Sequence, residues 1–403
     1  MGSNSDIKTI LYYKLTVLYL YFFYKCAIFT AFNTNYSMMI FKKLFLAFVW
    51  FTFSVMAWSQ NADTKNTFYS LSGRVELLDQ NKVILIGPAS SVSFEFQGNS
   101  CSIALQSLVD HQNYVALVLD GKYIGRIRIE KGEAKSFPIV VSEKKKTHHL
   151  SIYKATEATN GGVLFSGTIA KIIESSVPKS KKKIELIGDS ITSGFGNDDS
   201  TIPCGTGDWY DQHNAYWAYG PVLSRALDLD FVLSSVSGYG MYRNWNDEHI
   251  EEPIIPDVYE NLYLNTDGLQ PYDFKFQPDL VSICVGTNDL SDGDGKKTRL
   301  PFNEEKFISN YINFIKTVYK HAPNTRIVLL NSPMVSGDKN VTFVNCLKKV
   351  IQAFEKDTAH KKIELFEFQP MVPKGCGYHP NIADDKVMAD QLIPYFKQLL
   401  NEK

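Results

Sequence analysis

The spacing of apolar residues changes once along this 403-residue chain, close to residue 180. From Tyr69 to Ile173, short segments alternate apolar and polar residues, and turn signals such as Asp120-Gly121 separate them. Beyond residue 183, apolar runs of strand length alternate with amphipathic stretches of helix length. A period of two favours β-strands, whereas alternating strands and helices are typical of a parallel sheet with helices on both faces. The sequence therefore predicts two domains of different class.

The domain boundaries follow from this change of pattern. Residues 60–173 contain no helix-length amphipathic stretch, which predicts an all-β sandwich that can take the jelly-roll form. Residues 174–183 are polar and basic and include a proline, so they are interpreted as a linker. Residues 184–403 are predicted to form an α/β domain with three layers. In such folds ligands bind at the carboxyl ends of the strands.

The first 59 residues are predicted to be an N-terminal extension and a signal peptide. Met39 to Ser59 contain a basic pair at Lys42-Lys43, an apolar run and a small-x-small end, the layout of a secretory signal. Cleavage near Ser59 would give a secreted or periplasmic chain without a stable membrane span. The apolar segment 9–32 leaves a first transmembrane helix open as the alternative, and we favour translation from Met38 or Met39.

Charge and motifs exclude several classes of partner. The 42 basic and 43 acidic residues nearly cancel, so no electrostatic case exists for a nucleic-acid partner. The sequence has no glycine-rich phosphate loop and no cluster at metal-ligand spacing, so neither a cofactor nor a metal is expected. A neutral partner fits this composition best.

A serine stands at the exit of the first strand of the second domain. The strand-like run Ile184 to Gly188 leads directly to Asp189 and Ser190. Alone, such a serine could simply cap the next helix. A serine hydroxyl becomes a nucleophile when a base accepts its proton, and histidine has the pKa for that task. His379, on a late loop before the last predicted helix, is the candidate base.

Two further positions follow strands of the same sheet. Gly238 comes after one strand-like run and Asn288 after the next, so both are expected at the edge that carries Ser190. A tetrahedral intermediate needs hydrogen-bond donors for its oxyanion. The candidates are the main-chain N–H groups of Ser190 and Gly238 and the side-chain amide of Asn288.

These motifs resemble those of a known hydrolase superfamily. The segments Gly188-Asp189-Ser190, Gly238, Gly286-x-Asn288-Asp289 and His379 resemble, in order, the four sequence blocks of the SGNH (GDSL-like) hydrolases. With the β domain ahead of them, "MYRNW" after Gly240 and the run "QPDLVSICVGTNDLS", the chain is similar to acetyl esterases of carbohydrate esterase family 2. The resemblance covers Tyr69 to the C-terminus.

The resemblance implies a fold, a reaction and site residues. The fold is a jelly roll followed by a flavodoxin-like α/β/α domain. The reaction is removal of O-acetyl groups from plant polysaccharides such as xylan or glucomannan. By position, Ser190 is the nucleophile, His379 the base, and Ser190, Gly238 and Asn288 form the oxyanion hole. The wider superfamily has an aspartate three residues before the histidine, where this chain has Cys376. A main-chain carbonyl of Gly377 or Cys376 is therefore expected to orient His379, and a carboxylate from elsewhere is the alternative.

Several nearby residues are candidates for contact with substrate. Aromatic rings suit stacking on sugars, and Tyr239, Trp245 and Tyr378 flank the blocks. Asp289 is a further candidate, although an acid in this position more often holds loop N–H groups. Cys204 and Cys376, both in predicted loops, are hypothesised to form a disulfide, with two free thiols as the alternative.

Two rival functions remain open at this stage. The same serine and histidine could act on another acyl substrate such as a lipid, a thioester or acetylated peptidoglycan, because the blocks define the machinery and not the acyl donor. The missing aspartate also allows a decayed site in a polysaccharide-binding protein.

Overall fold

The computed structural model of the protein describes residues 68–141, 146–174, 181–247 and 252–402. The predicted signal peptide, the apolar segment 9–32 and most of the predicted linker lie outside these residues. Among the helices of the described ranges, none combines the length and the apolar character needed to cross a membrane.

In the described part of the first domain the regular elements are β-strands, as the period-two segments predict, apart from one short 3-10 helix at Ala158–Asn160. Its strands are β1 Ser70–Ser72, β2 Val75–Leu77, β3 Val83–Leu85, β4 Ser91–Ser107, β5 Asn113–Leu119, β6 Lys122–Ile129, β7 Lys135–Val140, β8 Thr147–Lys154 and β9 Val163–Ile173. The described strands form a nine-stranded antiparallel sheet in the order β2-β3-β9-β4-β8-β5-β6, with β1 and β7 also paired to β4. Phe94, Phe96 and Ile103 alternate along β4 into the core, which explains why a strand forms there.

The second domain is built on a parallel sheet. Its strands are β10 Lys183–Gly188, β11 Asp230–Ser235, β12 Leu280–Cys284, β13 Arg326–Leu330 and β14 Glu364–Phe366. They lie in the order β11-β10-β12-β13-β14, all parallel. This is the flavodoxin-like order, and it confirms the fold class inferred from the alternating strands and helices.

Helices connect the parallel strands and cover the sheet. The α-helices are α1 Ser190–Ser193, α2 Tyr219–Ala226, α3 Ile255–Val258, α4 Thr287–Leu290, α5 Glu304–His321, α6 Gly337–Gln352 and α7 Ile382–Asn401. In α5, Phe307, Tyr311 and Phe314 are buried at helical spacing, and Asn303 caps its first turn. The apolar pattern alone predicts α6 from residue 341, but the helix begins at Gly337 because its first turn is polar and carries no periodic signal.

The order of the strands decides where ligands can bind. Central β10 pairs with β11 on one side and β12 on the other, so Gly188 lies beside both Ser235 and Cys284. The chain changes direction across the sheet at this point, and such switch points open a crevice at the carboxyl ends of the strands. Ser190 and the loops after β11 and β12 all start there.

Buried hydrogen bonds join the β domain to the α/β domain. Arg74 is fully buried and donates to Ser234 Oγ and to the main-chain oxygens of Tyr259 and Asn261, at 2.7 to 3.1 Å. On another part of the interface, Arg126 donates to the carbonyl of His213 at 2.7 Å. Buried arginines keep such contacts because an unpaired buried charge is costly. These hydrogen bonds hold the β domain against the α/β domain.

Candidate active site

Ser190 occupies the first turn after β10. Asp189 caps this turn by accepting the Ile191 N–H at 3.1 Å, and Ser190 keeps 6% of its surface exposed. Gly188 is required by close packing, because a Cβ atom there would lie 2.0 Å from Thr192 Oγ1. The short strand-to-helix turn therefore holds the serine hydroxyl at the mouth of the crevice.

His379 contacts Ser190 and one carbonyl. Its Nε2 lies 2.7 Å from Ser190 Oγ, and its Nδ1 lies 2.7 Å from the carbonyl oxygen of Gly377. A carbonyl only accepts, so Nδ1 carries the hydrogen and the Nε2 lone pair faces the serine. Burial of the imidazole lowers the pKa of His379 to about 4, so the ring is neutral at neutral pH. This is the protonation state that a general base needs.

A disulfide fixes the loop that carries this histidine. Cys204 and Cys376 are joined, so the hypothesised pairing is present in the structure. The Cys376 N–H also donates to the Gly196 carbonyl at 2.8 Å, and the Gly375 N–H donates to the His379 carbonyl at 2.7 Å. The loop is thus tied both to the chain after Ser190 and to itself.

Two of the candidate oxyanion donors, Gly238 and Asn288, differ in the contacts that surround them. Gly238 has φ +80°, a conformation that favours glycine, and no atom would contact a Cβ placed there. The Asn288 amide donates to the Tyr239 carbonyl at 2.9 Å and to Asp189 Oδ2 at 3.3 Å. The bond to Asp189 is the longer and weaker of the two, so the N–H on that side is the one that an oxyanion can compete for.

Both acidic residues of the blocks hold main-chain groups. Asp289 is fully buried and accepts the N–H groups of Met241, Tyr242 and Arg243 at 2.8 to 3.1 Å. Both of its oxygens already serve the loop after Gly240, which favours a structural role over the predicted contact with substrate. Burial raises the pKa of Asp289 to about 6, against the lowering effect of these N–H groups, and burial raises the pKa of the enclosed Asp189 to about 7.

The aromatic candidates differ in exposure. Tyr378 is 87% exposed beside His379. Trp245 is 48% exposed, and its main-chain N–H donates to the Gly238 carbonyl at 2.8 Å. Both can meet a ligand at the crevice. Tyr239 instead packs partly against the core of the α/β domain, so its ring has less freedom to contact a sugar.

A cluster of aromatic rings beside His379 was not predicted from the sequence. The Phe195 ring centre lies 4.3 Å from that of His379 and 4.5 Å from that of His213, and it stacks on the ring of Trp209. Phe195 stands in the same segment as Ser190, five residues later, and that proximity was the available signal. Glu157, a buried carboxylate from the β domain, also reaches this region, and nothing in its sequence context indicates this.

Within the described ranges, no three acidic, histidine or cysteine side chains come together as a metal site. The groups at the crevice that can act on a substrate include the Ser190 hydroxyl, the His379 imidazole and the N–H groups of the loops.

Comparison with known families assigns both domains. Residues 71–174 match the carbohydrate esterase 2 N-terminal family, and residues 186–387 match the GDSL-like lipase/acylhydrolase family. The chain belongs to carbohydrate esterase family 2, within the GDSL-like hydrolases. It is a carboxylic ester hydrolase, and both the resemblance and the enzyme class predicted from its sequence blocks are confirmed.

Three proteins illustrate what the chain is similar to. An acetylxylan esterase/glucomannan deacetylase of Cellvibrio japonicus is 28% identical over 317 residues, which span 77% of this chain and 84% of that protein. A family two esterase from Clostridium thermocellum, solved in complex with cellohexaose, superposes with a TM-score of 0.72 at 26% identity, covering 82% of this chain and 99% of that one. The acetyl xylan esterase Est2A of Butyrivibrio proteoclasticus gives a TM-score of 0.71 at 25% identity, covering 85% and 98%.

Proposed function

We propose that this family 2 esterase removes O-acetyl groups from plant cell-wall polysaccharides through a Ser190–His379 dyad. The observation that carries the proposal is the pair of 2.7 Å contacts made by His379, one to Ser190 Oγ and one to the Gly377 carbonyl. Together they fix the tautomer and aim the basic nitrogen at the hydroxyl. The dyad is complete without a carboxylate.

In the first half of the reaction the acetyl group moves to the enzyme. His379 Nε2 takes the proton of Ser190 as Oγ attacks the acetyl carbonyl carbon, and the carbonyl electrons move onto oxygen. The N–H groups of Ser190 and Gly238 and the Asn288 amide stabilise that oxyanion. His379 then gives the proton to the sugar oxygen as its bond to the acetyl carbon breaks, which leaves an acetylated Ser190.

In the second half, water replaces the sugar. His379 Nε2 takes a proton from the water as its oxygen attacks the acetyl-enzyme, and the same oxyanion donors act again. When the intermediate collapses, the proton passes to Ser190 Oγ and acetate leaves. The neutral imidazole of the resting site is restored.

The substrate class is supported by the exposed rings and by the relatives. Trp245 and Tyr378 present aromatic faces at the crevice, where they can stack on sugar rings. The related proteins are named acetylxylan esterase/glucomannan deacetylase and acetyl xylan esterase. These features favour a sugar ester over a lipid or a thioester.

We also propose that the mature protein acts outside the cytoplasm, secreted or in the periplasm. The predicted signal peptide and the Cys204–Cys376 disulfide support this, because disulfides persist in oxidising compartments.

The proposal is tested by acetate release. Purified protein lacking residues 1–59 and its Ser190→Ala variant are compared on acetylated xylan, acetylated glucomannan, 4-nitrophenyl acetate and a long-chain 4-nitrophenyl ester. We expect acetate from both polysaccharides, little cleavage of the long-chain ester, and a loss of at least about a thousandfold in Ser190→Ala. Serine-dependent cleavage of only the small or long-chain esters would overturn the substrate class, and equal rates in the two proteins would overturn the role of Ser190.

A further inference from the structure

A buried carboxylate of the β domain lies against the catalytic loops. Glu157 sits between β8 and β9, in the stretch of the β domain that faces the α/β domain, and its side chain has no exposed surface. Carboxylates are rarely buried fully unless they are paired and hydrogen-bonded. The partners of Glu157 therefore indicate what holds it there.

One oxygen of Glu157 fixes the loop with the glycine oxyanion donor. Its Oε2 accepts the Ser237 N–H at 2.7 Å, and Ser237 immediately precedes Gly238. On the other side, the Gly238 carbonyl accepts the Trp245 N–H at 2.8 Å. The Gly238 N–H thus lies between two anchored backbone groups. Hydrogen bonds to a charged acceptor are shorter and stronger than neutral ones, so Glu157 supplies the firmer anchor.

The other oxygen of Glu157 faces the loop of the base. Its Oε1 lies 3.6 Å from His213 Nε2, and His213 Nδ1 accepts the Gly196 N–H at 3.1 Å. Because Nδ1 accepts, the hydrogen of the neutral ring is on Nε2 and points toward the carboxylate. The Gly196 carbonyl in turn accepts the Cys376 N–H at 2.8 Å. Cys376 stands three residues before His379. One side chain therefore hydrogen-bonds the loop of Gly238 and lies beside the histidine that contacts the loop of His379.

The charges around Glu157 are consistent with an ionised carboxylate. Burial acts to raise its pKa, but His213 and the Ser237 N–H together hold that pKa below its ordinary value. Burial lowers the pKa of His213, which keeps the ring neutral. The nearby Lys154 is also fully buried and donates to Thr156 Oγ1 and to the Glu157 carbonyl, and burial lowers its pKa to about 7.

We infer that Glu157 is a positioning residue for catalysis, through which the β domain holds the Gly238 N–H at the oxyanion and supports the loop of His379. This inference rests on the proposed role of Gly238. If so, the β domain affects the rate of the chemical step, because its Glu157 side chain extends to the loop of Gly238.

Two conservative variants separate the effect of the length of the Glu157 side chain from the effect of its charge. Glu157→Gln keeps the length of the side chain and one oxygen acceptor for the Ser237 N–H, but it removes the charge. Glu157→Asp keeps the charge but withdraws the oxygens by about one carbon–carbon bond, roughly 1.5 Å, which breaks the 2.7 Å contact. Asp120→Asn is the control, because Asp120 serves a β-hairpin turn at φ +53°, a conformation that asparagine also adopts.

The measurement is kcat per active site, counted by titration with a serine-directed phosphonate, together with KM for 4-nitrophenyl acetate. We expect Glu157→Asp to lower kcat about tenfold to a hundredfold with KM within twofold, and Glu157→Gln to lower kcat less, because its oxygen can still accept the Ser237 N–H. Binding of an arylboronic acid, whose tetrahedral serine adduct places an oxygen at the oxyanion site, should weaken in parallel with kcat. A purely structural role would lower the titrated fraction but leave kcat per titrated site unchanged.

Three outcomes overturn the inference. They are an Asp variant within twofold of the parent, a Gln variant slower than the Asp variant, and boronate binding that does not follow kcat. Ser190→Ala is measured together with the Glu157 variants, so that failure of the positioning role can be distinguished from failure of the proposed function. If that variant keeps its activity, the dyad itself is wrong; if it is inactive while Glu157→Asp is unchanged, the positioning role alone fails.

Discussion

His379 donates from Nδ1 to the carbonyl oxygen of Gly377 over 2.7 Å. This carbonyl stands where many serine hydrolases have a carboxylate, and it can orient the ring through its dipole without contributing a charge. A charged partner would raise the pKa of the imidazole, whereas here burial dominates and lowers it. The absence of the aspartate three residues before the histidine therefore leaves the geometry intact and changes the electrostatics.

The lowered pKa of His379 predicts the response to pH. The ring acts as a base only when Nε2 is unprotonated, so kcat/KM falls as pH drops through the pKa of the free enzyme. With that pKa near 4, we expect the midpoint of the acidic limb below pH 6, under the value of about 6.5 for a free histidine. The profile is measured with 4-nitrophenyl acetate after confirming that the protein stays folded at each pH. A midpoint at or above 6.5 would contradict this electrostatic account.

The disulfide is expected to affect both stability and turnover. Replacing Cys204 and Cys376 together by serine should lower the free energy of unfolding by about 2–4 kcal/mol. Because Cys376 belongs to the loop that orients His379, kcat should also fall several-fold. Urea unfolding and steady-state kinetics measure the two effects. Reductant should slow the parent protein but not the double variant, and an unchanged kcat would show that the loop is fixed without the bond.

Asp289 should prove structural, with no role in substrate affinity. Asparagine offers one oxygen where the carboxylate serves three N–H groups, so Asp289→Asn should lose about 1–3 kcal/mol of unfolding free energy. KM should stay within twofold, whereas kcat should fall because the loop after Gly240 loses hydrogen bonds that hold it. Asp292→Asn is the matched control, because the Asp292 side chain is 89% exposed and its ion pair with Lys339 contributes little. A rise in KM alone for Asp289→Asn would restore it as a substrate contact.

The exposed rings should distinguish polymer from small ester. Tyr378→Ala and Trp245→Ala remove stacking surface worth about 1 kcal/mol each, so KM for acetylated xylan should rise roughly fivefold. KM for 4-nitrophenyl acetate should not change. Val140→Ala, on the β domain and 79% exposed, controls for the loss of a surface side chain. Equal effects on both substrates would remove these residues from the proposed sugar-binding surface.

The sequence allowed much of the fold and the dyad to be predicted, because those features have local signals. Apolar spacing indicated the parallel strands and the helices between them, and strand order brought Ser190 and Asn288 to one edge. The loop that carries His379 was also identified from the sequence, because Cys376 stands where the superfamily has an aspartate.

The remaining features depend on contacts between distant segments, which spacing does not encode. Asp289 was open to a role at the substrate because its three N–H partners lie 46 to 48 residues earlier. Glu157 was missed because its partner Ser237 is 80 residues away in the other domain. Asp289 gains its role when the loops after β11 and β12 meet. Glu157 gains its role only when the β domain packs on the α/β domain.

The most direct test of the dyad is covalent labelling of the serine. A serine-directed phosphonate is added to the protein and to its Ser190→Ala and His379→Ala variants, and the adduct is located by peptide mass spectrometry. The account predicts one adduct, on Ser190, that is absent from Ser190→Ala and forms more than about a hundredfold more slowly in His379→Ala. No adduct, an adduct on another serine, or an unchanged rate without His379 would contradict it.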